Sequence, residues 1–239
     1  MYSRHMQTAW TWFVAMFLGV LFQIPAAGQE DLESISRIYR AHLESVVESG
    51  PLGGADHIEI YPLEGVSSVY LAIVEWAVDW GGTFDCFGVK DGTVEWVAGE
   101  DLHGHEPITE QSILSVRGIV VPGLEDPVVE VYGQTHMGNG ALHVFVLRGR
   151  TLHLLGETRA VDGHDDGATF HGGVLRAEYE DFNEDGAIDI VLLGIVDSMG
   201  GPEGTGIVRS TPCRKVLLQD ASGFFREDPA LRRGLPEGD

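Results

Sequence analysis

The sequence predicts an all-β fold of three tandem four-stranded antiparallel units, with one helix before them. The chain has 239 residues and 32 glycines, and its apolar residues occur in short runs between glycine-containing turns. Short apolar runs bounded by turn residues are typical of strands in antiparallel sheets. A pattern of strand, turn and strand also recurs three times, and such self-similarity indicates a repeat architecture. About 210 residues remain after a predicted leader, which is enough for one sizeable core.

The first 28 residues have the features of a signal peptide. Arg4 precedes an apolar stretch over residues 9–22, and Ala26 and Gly28 supply small residues before a cleavage point. The apolar stretch is too short to span a bilayer comfortably, and no later segment is long and apolar enough for a membrane helix. We therefore expect an exported protein (periplasmic, extracellular or cell-surface) with no membrane span after cleavage. An uncleaved anchor is the alternative.

A single helix is predicted within residues 29–50. Its apolar residues recur at intervals of three and four, and Gly50-Pro51 ends it. They are Leu32, Ile35, Tyr39, Leu43 and Val46. We expect this helix to cover one face or edge of the β domain.

The predicted β-repeat domain spans residues 51–226, and its units cover about 57–97, 112–159 and 173–226. Each unit has an outer strand, a strongly apolar inner strand and a closing hairpin. The outer strands lie near 57–61, 113–121 and 174–179, the inner strands at 69–76, 128–133 and 188–196, and the hairpins begin at Phe84, Leu142 and Arg214. Residues 197–211 interrupt the third unit as a candidate binding loop or a disordered tip. The charged tail, 227–239, is expected to be loosely ordered.

The third unit contains the segment DFNEDGAIDIVL, which has the ligand spacing of a calcium loop. Asp181, Asn183, Asp185 and Asp189 place oxygen-bearing side chains at positions 1, 3, 5 and 9, and Ala187 supplies a backbone carbonyl at position 7. Ca²⁺ prefers such hard oxygen ligands, and the glycine at position 6 permits the sharp bend. The predicted cofactor is therefore Ca²⁺. The alternative is a turn that binds nothing, because Asp, Asn and Gly also favour turns sterically.

Position 12 of this segment is Leu192, where an EF-hand would need a bidentate acid, so the loop leads into a strand. A loop of the form DxNxDGxxD that runs into aliphatic residues resembles the FG-GAP or VCBS repeat of secreted and cell-surface β-propellers, including the integrin α head. The resemblance covers about residues 179–194 and implies a calcium-binding, propeller-like protein with a binding, adhesion or structural role.

The repeat departs from that family in two ways. Three units are fewer than the four to eight blades of most propellers, so the fold is expected to be a partial or atypical propeller, an assembly completed by another copy, or a sandwich. The turns at 62–67 and 122–127 lack the spacing of acids that the calcium loop has, and 162–167 is only a degenerate copy of the loop.

Charge and cysteine content limit the partners. The formal net charge is −22, so nucleic acid is excluded as a partner and divalent cations are favoured. We expect a protein or carbohydrate ligand, with self-association as a further possibility. Cys86 and Cys213 can pair in an exported chain or remain two buried thiols.

The alternative function is a secreted hydrolase directed at polysaccharide, with an acidic pair near Trp76 and Trp80, such as Glu75 and Asp79. We assign no catalytic residue, because the chain lacks a nucleophile elbow and a phosphate-binding loop. The segment 103–106 (HGHE) and the histidines of the second unit and following loop suggest a transition-metal site or an exposed polar surface. Those histidines are His136, His143, His153, His164 and His171.

Overall fold

The computed structural model describes residues 29–47, 55–76, 82–96, 112–134, 140–149, 151–165, 170–200 and 206–234. The predicted signal peptide at 1–28 lies outside these residues. Helix α1 (Gln29–Val47) precedes the strands β1 (Ala55–Pro62), β2 (Val69–Trp76), β3 (Gly82–Lys90), β4 (Thr93–Trp96), β5 (Ser112–Ile119), β6 (Val128–Gln134), β7 (Gly140–Arg148), β8 (Thr151–Asp165), β9 (Phe170–Val174), β10 (Arg176–Glu180), β11 (Asp189–Gly200), β12 (Gly206–Gln219) and β13 (Phe225–Glu227).

The predicted fold class is confirmed, because the protein is all-β with one N-terminal helix and three four-stranded antiparallel units. The first unit is β1 to β4, the second β5 to β8, and the third β10 to β13, each paired in chain order. The first unit is a separate sheet, whereas the other two are continuous through β9. None of the helices in the described ranges is long and apolar enough to cross a membrane.

Strand β9 was not expected as a separate element. It pairs with β8, where His164 lies opposite His171, and with the far end of β11. Residues 162–165 therefore belong to a strand. The prediction that this segment is a degenerate copy of the calcium loop is wrong for these residues. Gly173 permits this junction, because a Cβ on it would lie 2.4 Å from the carbonyl oxygen of Ile195. Only a residue without a side chain allows the two backbones to approach so closely.

The second unit is packed between the other two. Alternate side chains of a strand point to opposite faces of the sheet. Val128, Leu142, Val144 and Val146 pack with residues of the third unit such as Ile190 and Leu217. Val129, Val131, Phe145 and Leu147 pack with residues of the first unit such as Leu71 and Phe84. Strand β7 is consequently buried on both faces, as expected for a blade between two neighbours.

Helix α1 covers the face of the first unit that points away from the second. Ile35, Tyr39 and Leu43 pack against a sheet face that includes Ala72 and Phe87. The rings of Tyr39 and Phe87 stack with centroids 4.4 Å apart. The Tyr39 hydroxyl also donates a hydrogen bond to the buried carboxylate of Asp85. The predicted covering role of the helix is thereby confirmed.

An ionic cluster links the second and third units. Arg117 donates to both carboxylate oxygens of Glu130, at 2.9 and 2.8 Å, and Tyr179 of β10 donates to the same carboxylate at 2.9 Å. The Tyr132 hydroxyl accepts the backbone N–H of Ala177 at 3.1 Å, and Arg117 donates to the Ala177 carbonyl at 3.4 Å. These side chains therefore satisfy backbone groups of Ala177 on the edge of β10 that does not pair with β11.

Neither cysteine forms a disulfide, and both are buried. Cys86 belongs to the core between the first and second units, whereas Cys213 belongs to the core between the second and third. The thiols do not pair, which resolves the two alternatives in favour of buried thiols. Burial, reinforced by the neighbouring carboxylate of Asp85, raises the pKa of the Cys86 thiol to about 12.

Two further expectations differ from the structure. Residues 197–200 and 206–211, expected as a loop, extend β11 and β12 into a longer hairpin. The tail is also ordered as far as Gly234. Residues 229–231 form a 3-10 turn, and the backbone groups of Arg233 and Arg214 exchange hydrogen bonds of 2.8 and 2.9 Å. The charged residues of the tail also contact one another, because Arg232 forms an ion pair of 2.5 Å with Glu227 at the end of β13.

Candidate metal centre

The turns between the outer and inner strands of the three units lie side by side. In the first two, Leu63 accepts from the N–H of Val66 at 3.2 Å and Val121 accepts from that of Leu124 at 3.1 Å. The third position of each turn is a glycine at positive φ, Gly65 at 78° and Gly123 at 95°, as a type II turn requires.

Neighbouring turns touch at these glycines. A Cβ on Gly65 would lie 2.4 Å from Cγ2 of Val120 in the second turn. A Cβ on Gly123 would lie 2.9 Å from Cγ1 of Ile188, which ends the third turn. The third turn, residues 181–188, is named the acidic loop here. It therefore occupies the last place in a row of three equivalent turns.

The acidic loop is organised by hydrogen bonds from its own backbone to its side chains. The Asp181 carboxylate accepts from the N–H groups of Asp185 and Gly186, at 3.0 and 2.9 Å. Asn183 Oδ1 accepts from the Asp185 N–H at 3.1 Å. Glu184 and Gly186 have positive φ angles of 61° and 90°, which fold the loop back on itself. The side-chain oxygens at positions 1 and 3 are thus directed toward the interior of the loop.

Asp185 completes this network. Its carboxylate accepts from the N–H of Ala187 at 2.8 Å and from the side-chain amide of Asn183 at 2.9 Å. These two hydrogen bonds lower the pKa of Asp185, the bond from Ala187 contributing most. The Asp185 side chain is therefore an exposed carboxylate that stays ionised to lower pH than an isolated aspartate.

Asp189 is the fully buried member of the predicted set, with 0% exposure. Its carboxylate accepts from the N–H of Phe182 at 3.1 Å and from that of Gln219 at 2.9 Å. It forms no ion pair with any basic side chain among the described residues. Burying a carboxylate without a compensating positive charge is expensive, even when backbone N–H groups stabilise it. This is the observation on which the fit to a cation rests.

The structure brings Asp181, Asn183 and Asp185 into one loop and joins Asp189 to that loop through Phe182. However, no three His, Cys, Asp or Glu side chains converge closely enough to hold a metal ion within the described part of the chain. Like charges repel when no cation lies between them, and here the Asn183 amide and the backbone N–H groups occupy the carboxylate oxygens. The donor set itself fits Ca²⁺, because it contains only oxygen ligands from side chains and the Ala187 carbonyl.

Two contacts of the acidic loop were not predicted from the sequence. The Phe182 ring lies against the guanidinium of Arg214, 5.4 Å from its centroid, and Gln219 reaches Asp189 from β12. The contact between Phe182 and Arg214 was not predictable because the two residues are more than thirty positions apart. The spacing of a calcium loop also assigns no role to its second position, which is Phe182. Strand register could have indicated the second contact, since Ile190 pairs with Leu217.

The other candidate sites gain no support. The segment 103–106, His136, Asp79 and Trp80 lie outside the described residues, as does the side chain of Trp76. His143 is buried beside Glu157 of the next strand, and His153 is exposed. A shallow groove between α1 and the β3–β4 turn contains no carboxylate among its lining residues, which are Ser34, Arg37, Ile38, Ala41, His42, Gly92, Thr93 and Val94.

Comparisons with known proteins add a distant similarity. No family model matches the chain, and the search of curated proteins found no match. Among solved structures, the chain is similar to an endo-arabinase from Bacteroides thetaiotaomicron, with 12% sequence identity and a TM-score of 0.35. The aligned region covers 76% of this chain and 63% of that chain, so the chain spans less than two thirds of that protein.

Proposed function

We propose that this protein is an exported calcium-binding β-repeat protein whose calcium ion stabilises the third unit, and that it has a binding or structural role. Asp181, Asn183, Asp185 and Asp189 would supply side-chain oxygens, and Ala187 would supply a carbonyl oxygen. The resemblance of residues 179–194 to the FG-GAP or VCBS repeat supports the same proposal.

The observation that carries the proposal is the buried Asp189 carboxylate, which has no basic partner among the described residues. A divalent cation beside it would offset the cost of burying its charge. The same cation would relieve the repulsion between the carboxylates of Asp181 and Asp185. Bound Ca²⁺ would therefore stabilise mainly the folded state, in which these groups are held together.

Calcium would act on stability through mass action. A ligand that binds only the folded state stabilises it by about 1.4 kcal/mol at ten times its Kd and by about 2.7 kcal/mol at a hundred times its Kd. Extracellular calcium sites have dissociation constants of about 10⁻⁴ to 10⁻³ M, so even a weak site would be partly filled after export. The loop lies where it would fix the entry into β11, a strand of the main core.

Thermal unfolding in EGTA, in Ca²⁺ and in Mg²⁺ tests this proposal. For a chain of this size we expect Ca²⁺ to raise the Tm by about 3 to 10 °C. Mg²⁺ should raise it less, because Mg²⁺ requires a smaller and more regular site. Asp185→Ala should abolish the Ca²⁺ effect.

Asp220→Ala is the matched control. Asp220 is also an acidic turn residue whose carboxylate accepts backbone hydrogen bonds, from Ser222 at 2.9 Å and Phe224 at 3.1 Å, but it belongs to the β12–β13 turn. This variant should keep the full Ca²⁺ response. Equal midpoints in EGTA and Ca²⁺ for the unmodified protein would refute the proposal.

A further inference from the structure

Within the described residues, one face of the third unit is exposed around Leu193 and Ile195, although Val191 and Val216 on the same face are buried. Helix α1 covers the first unit, and the second unit separates the first from the third. The third unit buries Ala177 and Leu192 on the face toward the second unit. On its opposite face, named the outer face here, Leu193 and Ile195 are 38% and 55% exposed. Aliphatic residues this exposed on adjacent same-face positions of a strand indicate a surface for association.

Charged residues surround these aliphatic side chains in an ordered pattern. Leu193 lies between Arg176 of β10 and Arg214 of β12 in the strand register. Neither arginine forms an ion pair with a described residue, and the Nε of Arg214 is buried without a hydrogen-bond partner among them. Along β10, Arg176 is followed on the same face by Glu178 and Glu180. Among the described residues, the outer face thus carries positive charge without an ion-pair partner, from Arg176 and from the Arg214 guanidinium that contacts Phe182, next to negative charge.

Contacts at Ala177 and along β12 already occupy part of the edges of the third unit, which favours association through its face. On the free edge of β10, the N–H and C=O of Ala177 are satisfied by Tyr132 and Arg117. On the other side, β12 is paired with β13 and then with the backbone of Arg233. Addition of a strand from another chain would have to displace these contacts.

We propose that the outer face of the third unit binds the same face of a second copy of this chain, forming a two-fold symmetric dimer. In a two-fold interface the same patch serves both partners, so it must be self-complementary. Antiparallel superposition of the two β10 strands places Arg176 opposite Glu178 of the other copy. Leu193 and Ile195 are then buried between the sheets, which continues the face-to-face packing of the units within one chain.

Sedimentation equilibrium of the full chain in about 0.15 M salt tests this proposal, because screening at this ionic strength limits repulsion between two molecules of net charge −22. We expect twice the monomer mass at high protein concentration. Ile195→Asp should shift the protein to monomer, with at least a tenfold weaker association. Val120→Asp is the matched control, because Val120 is similarly exposed, at 53%, but lies on the turn beside Gly65.

Charge exchange separates recognition from folding. Arg176→Glu and Glu178→Arg should each weaken the homodimer, whereas a mixture of the two variants should form a heterodimer, because each then presents the opposite sign to the other. A monomer at all concentrations would overturn the proposal. A dimer that survives Ile195→Asp, or single variants whose mixture does not associate, would also overturn it.

Discussion

The carboxylate of Asp189 accepts the backbone N–H of Gln219 at 2.9 Å and so joins the acidic loop to the end of β12. It also accepts the N–H of Phe182 inside the loop. Asp189→Ala should therefore lower the free energy of unfolding in EGTA by about 1 to 3 kcal/mol, because two N–H groups lose an acceptor while the burial of a charge is relieved. Added Ca²⁺ should not restore the loss.

Urea denaturation measures this difference. Asp197→Ala serves as the control, since Asp197 accepts one hydrogen bond from Ser210, at 2.6 Å, away from the loop. Asp197→Ala should lower the free energy of unfolding by less than about 1 kcal/mol and leave the Ca²⁺ response intact. A variant at Asp189 that is as stable in EGTA as the unmodified protein and still responds to Ca²⁺ would contradict this account.

The ion pair of the second unit that also binds Tyr179 of the third unit should be important for stability. Glu130 is 1% exposed in its side chain and depends on Arg117 for its counter-charge. Arg117→Met should destabilise the protein by about 2 to 4 kcal/mol, somewhat less than removal of a fully buried partner, because Tyr179 still donates to Glu130.

The pair between Arg148 and Asp126, at 2.8 Å, is the control for this prediction. Its side chains are 57% and 33% exposed, so Arg148→Met should change the free energy of unfolding by less than about 1 kcal/mol. Equal effects of the two substitutions in urea denaturation would show that the buried cluster does not hold the units together.

The contact between neighbouring turns can be tested at a glycine. Gly123→Ala places a methyl group 2.9 Å from Ile188 in addition to the strain of a positive φ. Gly92→Ala has a similar φ of 76° but meets no atom within 4 Å, so it measures the backbone strain alone. We expect Gly123→Ala to lower the free energy of unfolding, measured by urea denaturation, by about 1 kcal/mol more than Gly92→Ala does, because a small steric overlap adds to the backbone strain. Equal losses would show that the two turns are not in steric contact.

The two cysteines, which form no disulfide, predict a specific pattern of thiol labelling. Because burial raises the pKa of Cys86 to about 12, its thiolate is scarce at pH 8 and the folded protein should react slowly with a disulfide reagent. After unfolding without reductant, two thiols per chain should react at once. Fewer than two would reveal a disulfide and contradict the position of the cysteines in separate cores.

The pH dependence of the calcium effect follows from the lowered pKa of Asp185. A carboxyl group whose pKa is lower in the folded than in the unfolded state contributes stability above its ordinary pKa of 3.8, and this contribution is lost as the pH falls through the lowered value. The Ca²⁺-dependent rise in Tm should therefore persist at pH 5 and be lost only as the pH falls below the ordinary aspartate pKa of 3.8. Loss of the effect already between pH 7 and pH 5 would point to a histidine instead.

The strands were predictable because each is a short apolar run between turn residues, and the inner strand 69–76 agrees with β2 at both ends. The packing between units was not predictable. The contact of Gly65 with Val120 joins residues 55 positions apart, and nothing in either turn indicates its neighbour. Strand β9 was not predicted, because nothing in the sequence indicates that Gly173 allows two backbones to approach. The spacing of the acidic loop predicts its candidate ligands, but it did not indicate that Asp189 is buried.

Calorimetric titration of the chelator-treated protein with Ca²⁺ tests the central claim most directly. The account predicts one Ca²⁺ bound per chain, with binding abolished in Asp189→Ala and retained in Asp220→Ala. An absence of binding at millimolar Ca²⁺, or binding that Asp189→Ala leaves unchanged, would contradict it.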